Sequence, residues 1–252
     1  MVDIHSHILA GLDDGPATLE ESREMLRMAA GSGTTDIVAT PHANLEFAYD
    51  PEVVDRKIAE LRAECGDIVH VHRGCDFHLF YENVQRAIAE PSRYTINGKT
   101  YLLVEFSEIA ILRSTSEMFA RMREAGMTPV ITHPERNTIL MRDVQQLRDW
   151  VKSGCRVQVT AQSLFGRFGR RARASAEQLM RCGLVHFIAS DAHDTSDRPP
   201  VLDRAFQHIA QRYSERRAEA LLITNPTAVL NGEPVPEAVP EPDRLRKWWW
   251  QW

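Results

Sequence analysis

The fold class this sequence predicts is a parallel βα barrel, an α/β fold in a single domain, and three observations predict it. Seven short apolar runs alternate along the chain with amphipathic segments of helical period, the pattern of parallel strands covered by helices. Six of those seven runs end in, or lead directly to, His, Asp or Glu. In βα barrels the site is assembled from the carboxyl ends of the strands, so this distribution describes a mouth lined by imidazoles and carboxylates. At 252 residues the chain has the length of one such domain.

The first strand is short and ends near Asp3-Ile4, followed by His5 and His7 and then Asp13-Asp14-Gly15. Alternate side chains of an extended segment share a face, so the two imidazoles can meet one ion. Thr18-Leu-Glu-Glu21 has the form of a capping box ahead of the stripe Met25, Leu26, Met28 and Ala29, with Gly31 and Gly33 as stops. Strand two spans Asp36 to His42. Asp50-Pro51 opens a helix running to about Glu64, a cap with proline in the first turn. Strand three spans Ile68 to Asp76, and Tyr101 to Ser107 forms strand four, with Glu105 near its end.

A helix follows from about Thr115 to Ala125, then strand five with its exit loop, Thr128 to Arg136, which carries His133. The helix around Val144 to Val151 leads to strand six, Arg156 to Thr160. Residues 164–171 make a basic, glycine-containing loop before a helix that runs through Met180. Strand seven is His186 to His193, and helices over Val201–Arg212 and Glu215–Ile223 close the domain.

Net charge is -5 with a pI near 6.1, which argues against a nucleic-acid partner. Cys65, Cys75, Cys155 and Cys182 form no C-x-x-C pair and no disulfide framework, as suits a reducing cytoplasm. The opening residues lack the basic and apolar regions of a signal peptide, and no apolar run is long enough to span a bilayer. The expected location is the cytoplasm.

Pooled, the strand ends supply His5, His7, Asp14, His42, Asp76, Glu105, His133, Asp191 and His193. Five imidazoles and four carboxylates suffice for two or three divalent ions, and mixed N/O ligation suits Mn, Fe, Zn or Co. Such a cluster activates a bridging water as hydroxide and stabilises charge on the attacking and leaving oxygens, a natural means of phosphate-ester hydrolysis. Arg136 follows His133 and Arg198 follows His193, and both can act as forked donors to phosphoryl oxygens. No cysteine is followed six positions later by arginine, and neither a Gly-Lys-Ser/Thr loop nor a Gly-x-Ser-x-Gly elbow occurs. Metal-activated water is the mechanism that remains.

Taken together, Asp-Ile-His-Ser-His with Asp-Asp-Gly, Thr-Pro-His42, Gly-Cys-Asp76, Val-Glu105-Phe-Ser, His133-Pro-Glu-Arg136 and Ser-Asp191-Ala-His193-Asp resemble the polymerase-and-histidinol-phosphatase (PHP) superfamily. Within it they are most similar to the bacterial manganese-dependent protein-tyrosine phosphatases of the capsular-polysaccharide type. The resemblance covers about residues 1–232 and includes the late Asn225-Pro226. It implies a distorted seven-stranded barrel with three divalent ions, manganese foremost. By motif, His5, His7, Asp76 and Asp191 would hold one ion. Asp76, Glu105 and His133 would hold a second, and Asp14, His42 and His193 the third. Arg136 and Arg198, with Asp191 and His193, would form the catalytic set. The family has glutamate where this chain has Asp76, one methylene shorter. The resemblance further implies action on phosphotyrosines in the tail of a bacterial tyrosine autokinase that controls exopolysaccharide export. A phenolate leaving group with a pKa of about 10 suits a metal site without a strong general acid.

Two other functions fit the same residues. One is a PHP phosphoesterase acting on a small phosphomonoester such as histidinol phosphate, or on a nucleic-acid 3′ end, the latter opposed by the acidic balance. The other is a regulatory docking module whose metal site is impaired through Asp76. His70, His72, His78, His186 and His208 read as structural or surface residues, with His78 set apart because it closely follows Asp76. Arg167, Arg170, Arg171 and Arg173 read as a solvated helix start or a surface for acidic segments. From residue 233 the chain becomes a proline-rich linker that should not pack, and it ends in Arg244-Leu-Arg-Lys-Trp-Trp-Trp-Gln-Trp252. A flexible tail of that composition favours a protein groove or a peripheral position on the inner face of the cytoplasmic membrane.

Overall fold

In a computed structural model of the protein, which describes residues 1–238 and Pro240, parallel strands follow one another in chain order around the molecule. They are β1 (Val2–Ser6), β2 (Asp36–Ala39), β3 (His42–Ala43), β4 (His70–Arg73), β5 (Asp76–His78), β6 (Tyr101–Glu105), β7 (Thr128–Thr132), β8 (Arg156–Thr160) and β9 (Phe187–Ala189). The order β1-β2-β4 makes one sheet and β3-β5-β6-β7-β8-β9 another. The two are joined. Gly74 N–H donates to the Ala39 carbonyl at 2.9 Å and Asp76 N–H to that of Pro41 at 3.1 Å, so the ladder passes from β2/β4 into β3/β5. Merged across these breaks the strands number seven. The ring closes where Asp191 N–H reaches the His5 carbonyl at 2.9 Å and His7 N–H that of Ala192 at 2.8 Å.

The breaks correct the expected strands. Strand two stops before Pro41, which has no N–H to donate. Strand three stops at Gly74, where a Cβ would lie 2.6 Å from Val38 Cγ1. Asp76 therefore opens β5 rather than ending a strand. Beside β4 lies a 3₁₀ turn, Ile96–Gly98, which packs against both β4 and β6. Its Asn97 amide donates to the Leu230 carbonyl at 3.1 Å and lies 3.4 Å from His72 Nδ1.

The helices are α1 (Leu19–Gly31), α2 (Pro51–Cys65), α3 (Tyr81–Ala89), α4 (Pro91–Tyr94), α5 (Thr115–Glu124), α6 (Val144–Lys152), α7 (Gly169–Arg181), α8 (Asp203–Arg212), α9 (Glu215–Glu219) and α10 (Asn225–Asn231). Thr18 caps α1 by accepting from Glu21 N–H, and Glu21 accepts from Ala17 N–H. Asp50 caps α2 through Glu52 N–H. Neither α3 nor α4 has a side-chain cap, and the proline that opens α4, Pro91, is the one start signal the sequence offers for the pair. The last helix expected, ending at Ile223, instead continues through a π turn over Ala220–Thr224 into α10.

Strand residues alternate between separate parts of the core. Ile37 and Ala39 pack with Met25, Leu26 and Ile58 of α1 and α2, whereas Val38 joins Leu103, Val130 and Phe187. On β6, Leu102 and Val104 pack with Phe119 and Met122 of α5, and Tyr101 and Leu103 belong to the other cluster.

That second cluster holds a surprise in the chain beyond α10. Val235 is only 3% exposed. Tyr101 donates its hydroxyl to the Glu233 carbonyl at 2.7 Å and accepts from Val235 N–H at 3.0 Å. Thr100 donates to the Gly232 carbonyl at 3.1 Å and Arg156 to that of Val235 at 3.0 Å. Residues 233–235, expected in a linker that does not pack, form a strap across the amino ends of β6 and β8. Its partners lie far away in sequence, where composition cannot show them. The basic, Trp-rich segment lies outside the described residues.

Candidate metal centre

All nine candidate ligands meet at the opposite, carboxyl ends of the strands. Ligand atoms within 4.8 Å of one another form four overlapping groups: His7, Asp14, His42 and His193; His5, His7 and Asp76; His5, His133 and Asp191; and His42, Asp76 and Glu105. Asp14 Oδ1 lies 3.3 Å from His193 Nε2 and 3.4 Å from His42 Nε2. Asp76 Oδ2 lies 3.6 Å from His5 Nε2 and 3.3 Å from His42 Nδ1. Glu105 Oε1 is 3.6 Å from His133 Nε2, and its Oε2 is 3.5 Å from His42 Nδ1. Asp14, His42 and His193 thus meet as expected, joined by His7, while His42 faces two groups through its two ring nitrogens.

Several of these atoms are buried and have no hydrogen-bond partner: His5 Nε2, His7 Nε2, His42 Nδ1 and both Asp76 oxygens. Orphaned buried polar atoms are costly in a folded protein, and here they converge on one another. Their opposite sides are anchored. His5 Nδ1 pairs with Gln158 Oε1 at 3.1 Å, His7 Nδ1 with Asp13 Oδ2 at 2.6 Å, and His193 Nδ1 with the Asp191 carbonyl at 3.0 Å. Anchoring one ring nitrogen so that the other faces inward is how proteins orient metal-binding histidines. The residues fit divalent cations.

The electrostatics point the same way. Burial opposes protonation of His5, yet the Asp76 and Asp191 carboxylates push it up to about 9. Burial likewise opposes protonation of His42, but Asp14, Asp76 and Glu105 push it up to about 11. His7 goes down to about 4 through burial and the neighbouring His193, and His133 is lowered by burial and Arg136. Asp76 and Asp191 stay well below the usual carboxylate range despite burial, held there by His5 and His42 and by Arg136 and His5 respectively. Glu105 is raised by burial and by Asp76. The carboxylates thus draw positive charge towards the cluster.

Asp191 divides its carboxylate between two tasks. Oδ1 lies 3.5 Å from His5 Nε2 and 3.8 Å from His7 Nε2. Oδ2 receives Arg136 Nη1 and, at 2.6 Å, Arg198 Nη2. Arg136 also stands 4.4 Å over the Phe168 ring, and Arg198 5.9 Å. Both expected arginines therefore reach the cluster, although sixty-two positions separate them in sequence. His133 and Asp191 adopt positive φ, 31° and 52°, a rare conformation for such residues and one that concentrates at functional sites.

Of the remaining histidines, His78 Nδ1 lies 3.5 Å from Glu105 Oε2, at the edge of the cluster. His72 pairs with Asp36 at 2.9 Å, and His186 accepts from Val157 N–H at 3.2 Å. Sequence reading missed three supporting residues. Asp13 accepts from His7 and from His42 N–H at 3.0 Å. Gln158 also accepts from His133 N–H at 3.4 Å. Glu135, fully buried, accepts from Thr160 N–H at 3.0 Å and the Ser163 hydroxyl at 2.6 Å, and so fixes the loop that carries His133. The doubled Asp13-Asp14 was the available signal for the first. Gln158 shares its face of β8 with Arg156 and Thr160, so nothing local sets the second apart.

Comparison with known proteins gives a consistent result. The family model for capsular polysaccharide synthesis, CpsB/CapC, matches residues 1–231. The chain is 34% identical to CapC of Staphylococcus aureus over 253 residues, 99% of this chain and 98% of that one. It is 31% identical to the tyrosine-protein phosphatase YwqE of Bacillus subtilis over 251 residues, 98% of each. A crystal structure from work on YwqE of B. subtilis and CpsB of Streptococcus pneumoniae, described as metal-dependent tyrosine phosphatases, superposes with a TM-score of 0.88 and 30% identity. It covers 97% of this chain and all of that one.

Proposed function

The chain belongs to the CpsB/CapC family of capsular polysaccharide synthesis proteins, and from that premise we propose how its residues work as a metal-dependent tyrosine phosphatase. The observation that carries the reading is the set of orphaned, inward-facing atoms of His5, His7, His42 and Asp76, with two arginines at its edge. Three divalent ions, manganese foremost, would be held by His5, His7, Asp76 and Asp191, by Asp76, Glu105 and His133, and by Asp14, His42 and His193. When bound, such ions supply an acidified water and neutralise phosphoryl charge.

The chain's own residues do the rest. Arg136 and Arg198, held by Phe168 and Asp191, present forked donors to the non-bridging phosphoryl oxygens. Asp13 and Gln158 keep the His7 and His5 imidazoles in the tautomer whose Nε2 is free to ligate. Asp76, one methylene shorter than the family's glutamate, sits at the start of β5 and still reaches His5 and His42. That reach favours an enzyme over an impaired docking module. A phenolate, with a pKa of about 10, leaves without a dedicated acid.

The substrate we assign is a phosphotyrosine in the tail of a bacterial tyrosine autokinase governing exopolysaccharide production, in line with the family's part in capsule synthesis. No helix among the described residues is long and apolar enough to cross a membrane. With four free cysteines, the protein is assigned to the cytoplasm. The basic Trp-rich segment is assigned a peripheral docking role at the inner membrane face or on a partner.

The test is hydrolysis of a phosphotyrosine peptide by protein stripped of metal and resupplied with Mn, Co, Zn or Mg. Activity restored by metal in the wild type, and absent in His5→Ala and His193→Ala proteins with unchanged circular dichroism, is the expected result. Full activity in either metal-depleted variant would sink the mechanism.

A further inference from the structure

The chain carries a net negative charge, yet arginines gather where α7 begins: Arg167, Arg170, Arg171 and Arg173. The first turn of α7 contains no acidic residue. Backbone N–H groups make that end of a helix positive, so it is the end at which cations are disfavoured. The helix dipole gives folding nothing for placing them there.

Arg167 pairs with Asp197 at 2.7 Å, and Arg173 with Glu177 at 3.2 Å. Arg170 and Arg171, and Arg142 on the loop before α6, have no acidic partner within ion-pair distance among the described residues, and all three are exposed. Arg142 and Arg171 line a cavity of about 450 Å³ with Thr138, Met141, Ser175 and Gln178. Its lining comes from two segments that also serve the mouth: Thr138 follows Arg136 by two residues, and α7 carries Arg171. Phe168, immediately before α7, is the ring on which Arg136 and Arg198 rest.

We infer that Arg142, Arg170 and Arg171 form a docking surface for acidic side chains flanking the phosphotyrosine in the substrate polypeptide. This rests on the phosphatase reading above and names the kind of substrate it prefers. Arg170 and Arg171 follow Phe168 by two and three residues, so the carboxylates engaged are those a few positions along the chain from the phosphotyrosine. The concave shape favours a peptide over the flat surface of a bilayer.

The test compares two phosphotyrosine peptides, one with glutamates three to five positions from the phosphotyrosine and one with glutamines there, alongside p-nitrophenyl phosphate, which has no flanks. Wild-type protein loaded with manganese is set against a triple variant, Arg142→Gln, Arg170→Gln, Arg171→Gln. The acidic peptide should be preferred by about 5-fold or more in kcat/KM, through KM, with the preference shrinking as salt rises. The triple variant should lose the preference and keep its rate on p-nitrophenyl phosphate. Equal use of both peptides by the wild type, or a preference that survives in the variant, would overturn the inference while leaving the phosphatase intact. Arginine-dependent binding to phosphatidylglycerol vesicles without peptide discrimination would also overturn it. Failure to cleave either peptide would instead overturn the phosphotyrosine reading itself, and this inference with it.

Discussion

Replacing Asp13 tests how the centre is held. Its Oδ2 accepts from His7 Nδ1 at 2.6 Å and from His42 N–H at 3.0 Å, while Oδ1 accepts from Gly15 N–H at 3.0 Å. One carboxylate thus positions ligands in three of the four overlapping groups without being assigned to an ion. In Asp13→Ala, His7 loses the anchor that selects its tautomer, and the backbone N–H groups of His42 and Gly15 lose their acceptor. Removing such an outer partner typically costs 10–100-fold in metal affinity, or about 1.4–2.7 kcal/mol. Each N–H left without an acceptor adds roughly 1–3 kcal/mol of lost stability where it stays buried. The assay is manganese per chain, by elemental analysis after dialysis against graded free manganese, with phosphatase rate measured on the same samples. The half-loading point should move up by about 10–100-fold, and rate should return at high manganese. Asp13→Asn keeps a neutral acceptor and should fall between the two. A loading curve within twofold of wild type, in a protein that retains its fold, would refute the anchoring argument.

Three further outcomes follow from other parts of the molecule. His186 is buried away from the centre, and burial, with Arg156 nearby, pushes it down to about 3. The unfolded chain therefore takes up a proton near pH 6.5 that the folded chain refuses. Stability is complete above about pH 6.5 and falls by up to about 1.4 kcal/mol per pH unit towards pH 3. Urea titrations of metal-free protein should show this slope reduced in His186→Asn, whose amide oxygen can still accept from Val157 N–H; parallel slopes would contradict it. A Cβ at Gly15 would overlap the His7 carbonyl oxygen and lie 3.0 Å from Asp13 Oδ1, so Gly15→Ala should cost about 1–3 kcal/mol and lower bound metal in the same elemental analysis. Tyr101→Phe removes the two strap hydrogen bonds made by the Tyr101 hydroxyl and leaves Val235 N–H unpaired; it should cost about 1–3 kcal/mol in thermal melts while phosphatase activity stays at the wild-type level.

What was legible in the sequence follows from the range of the physics involved. His5 and His7 declare themselves because a strand's period of two is local, and Thr18 and Asp50 because caps act within four residues. Arg136 and Arg198 could be nominated from their neighbours His133 and His193, but their meeting at Asp191 is tertiary. Asp13 resembled its neighbour Asp14, and nothing in the chain says which carboxylate faces the imidazoles and which stands behind them. The bend at Gly74 is set by Val38 and Thr40, over thirty residues earlier. Helix α3 starts at Phe80 without a polar cap. Residues 233–235 read as linker by composition, and a hydroxyl 134 residues from Val235 overrides it.

The strap fixes a direction as well as an energy. Tyr101, Thr100 and Arg156 stand where β6 and β8 begin, whereas the ligands stand where the strands finish. The amino terminus leaves from the same end as the strap, with Met1 donating its ammonium to the Gly33 carbonyl at 2.6 Å. Both exits from the barrel thus lie behind it. A support grafted on behind the strap or ahead of β1, whether a sensor chip or a resin, therefore leaves the catalytic mouth turned outward and clear for an arriving polypeptide.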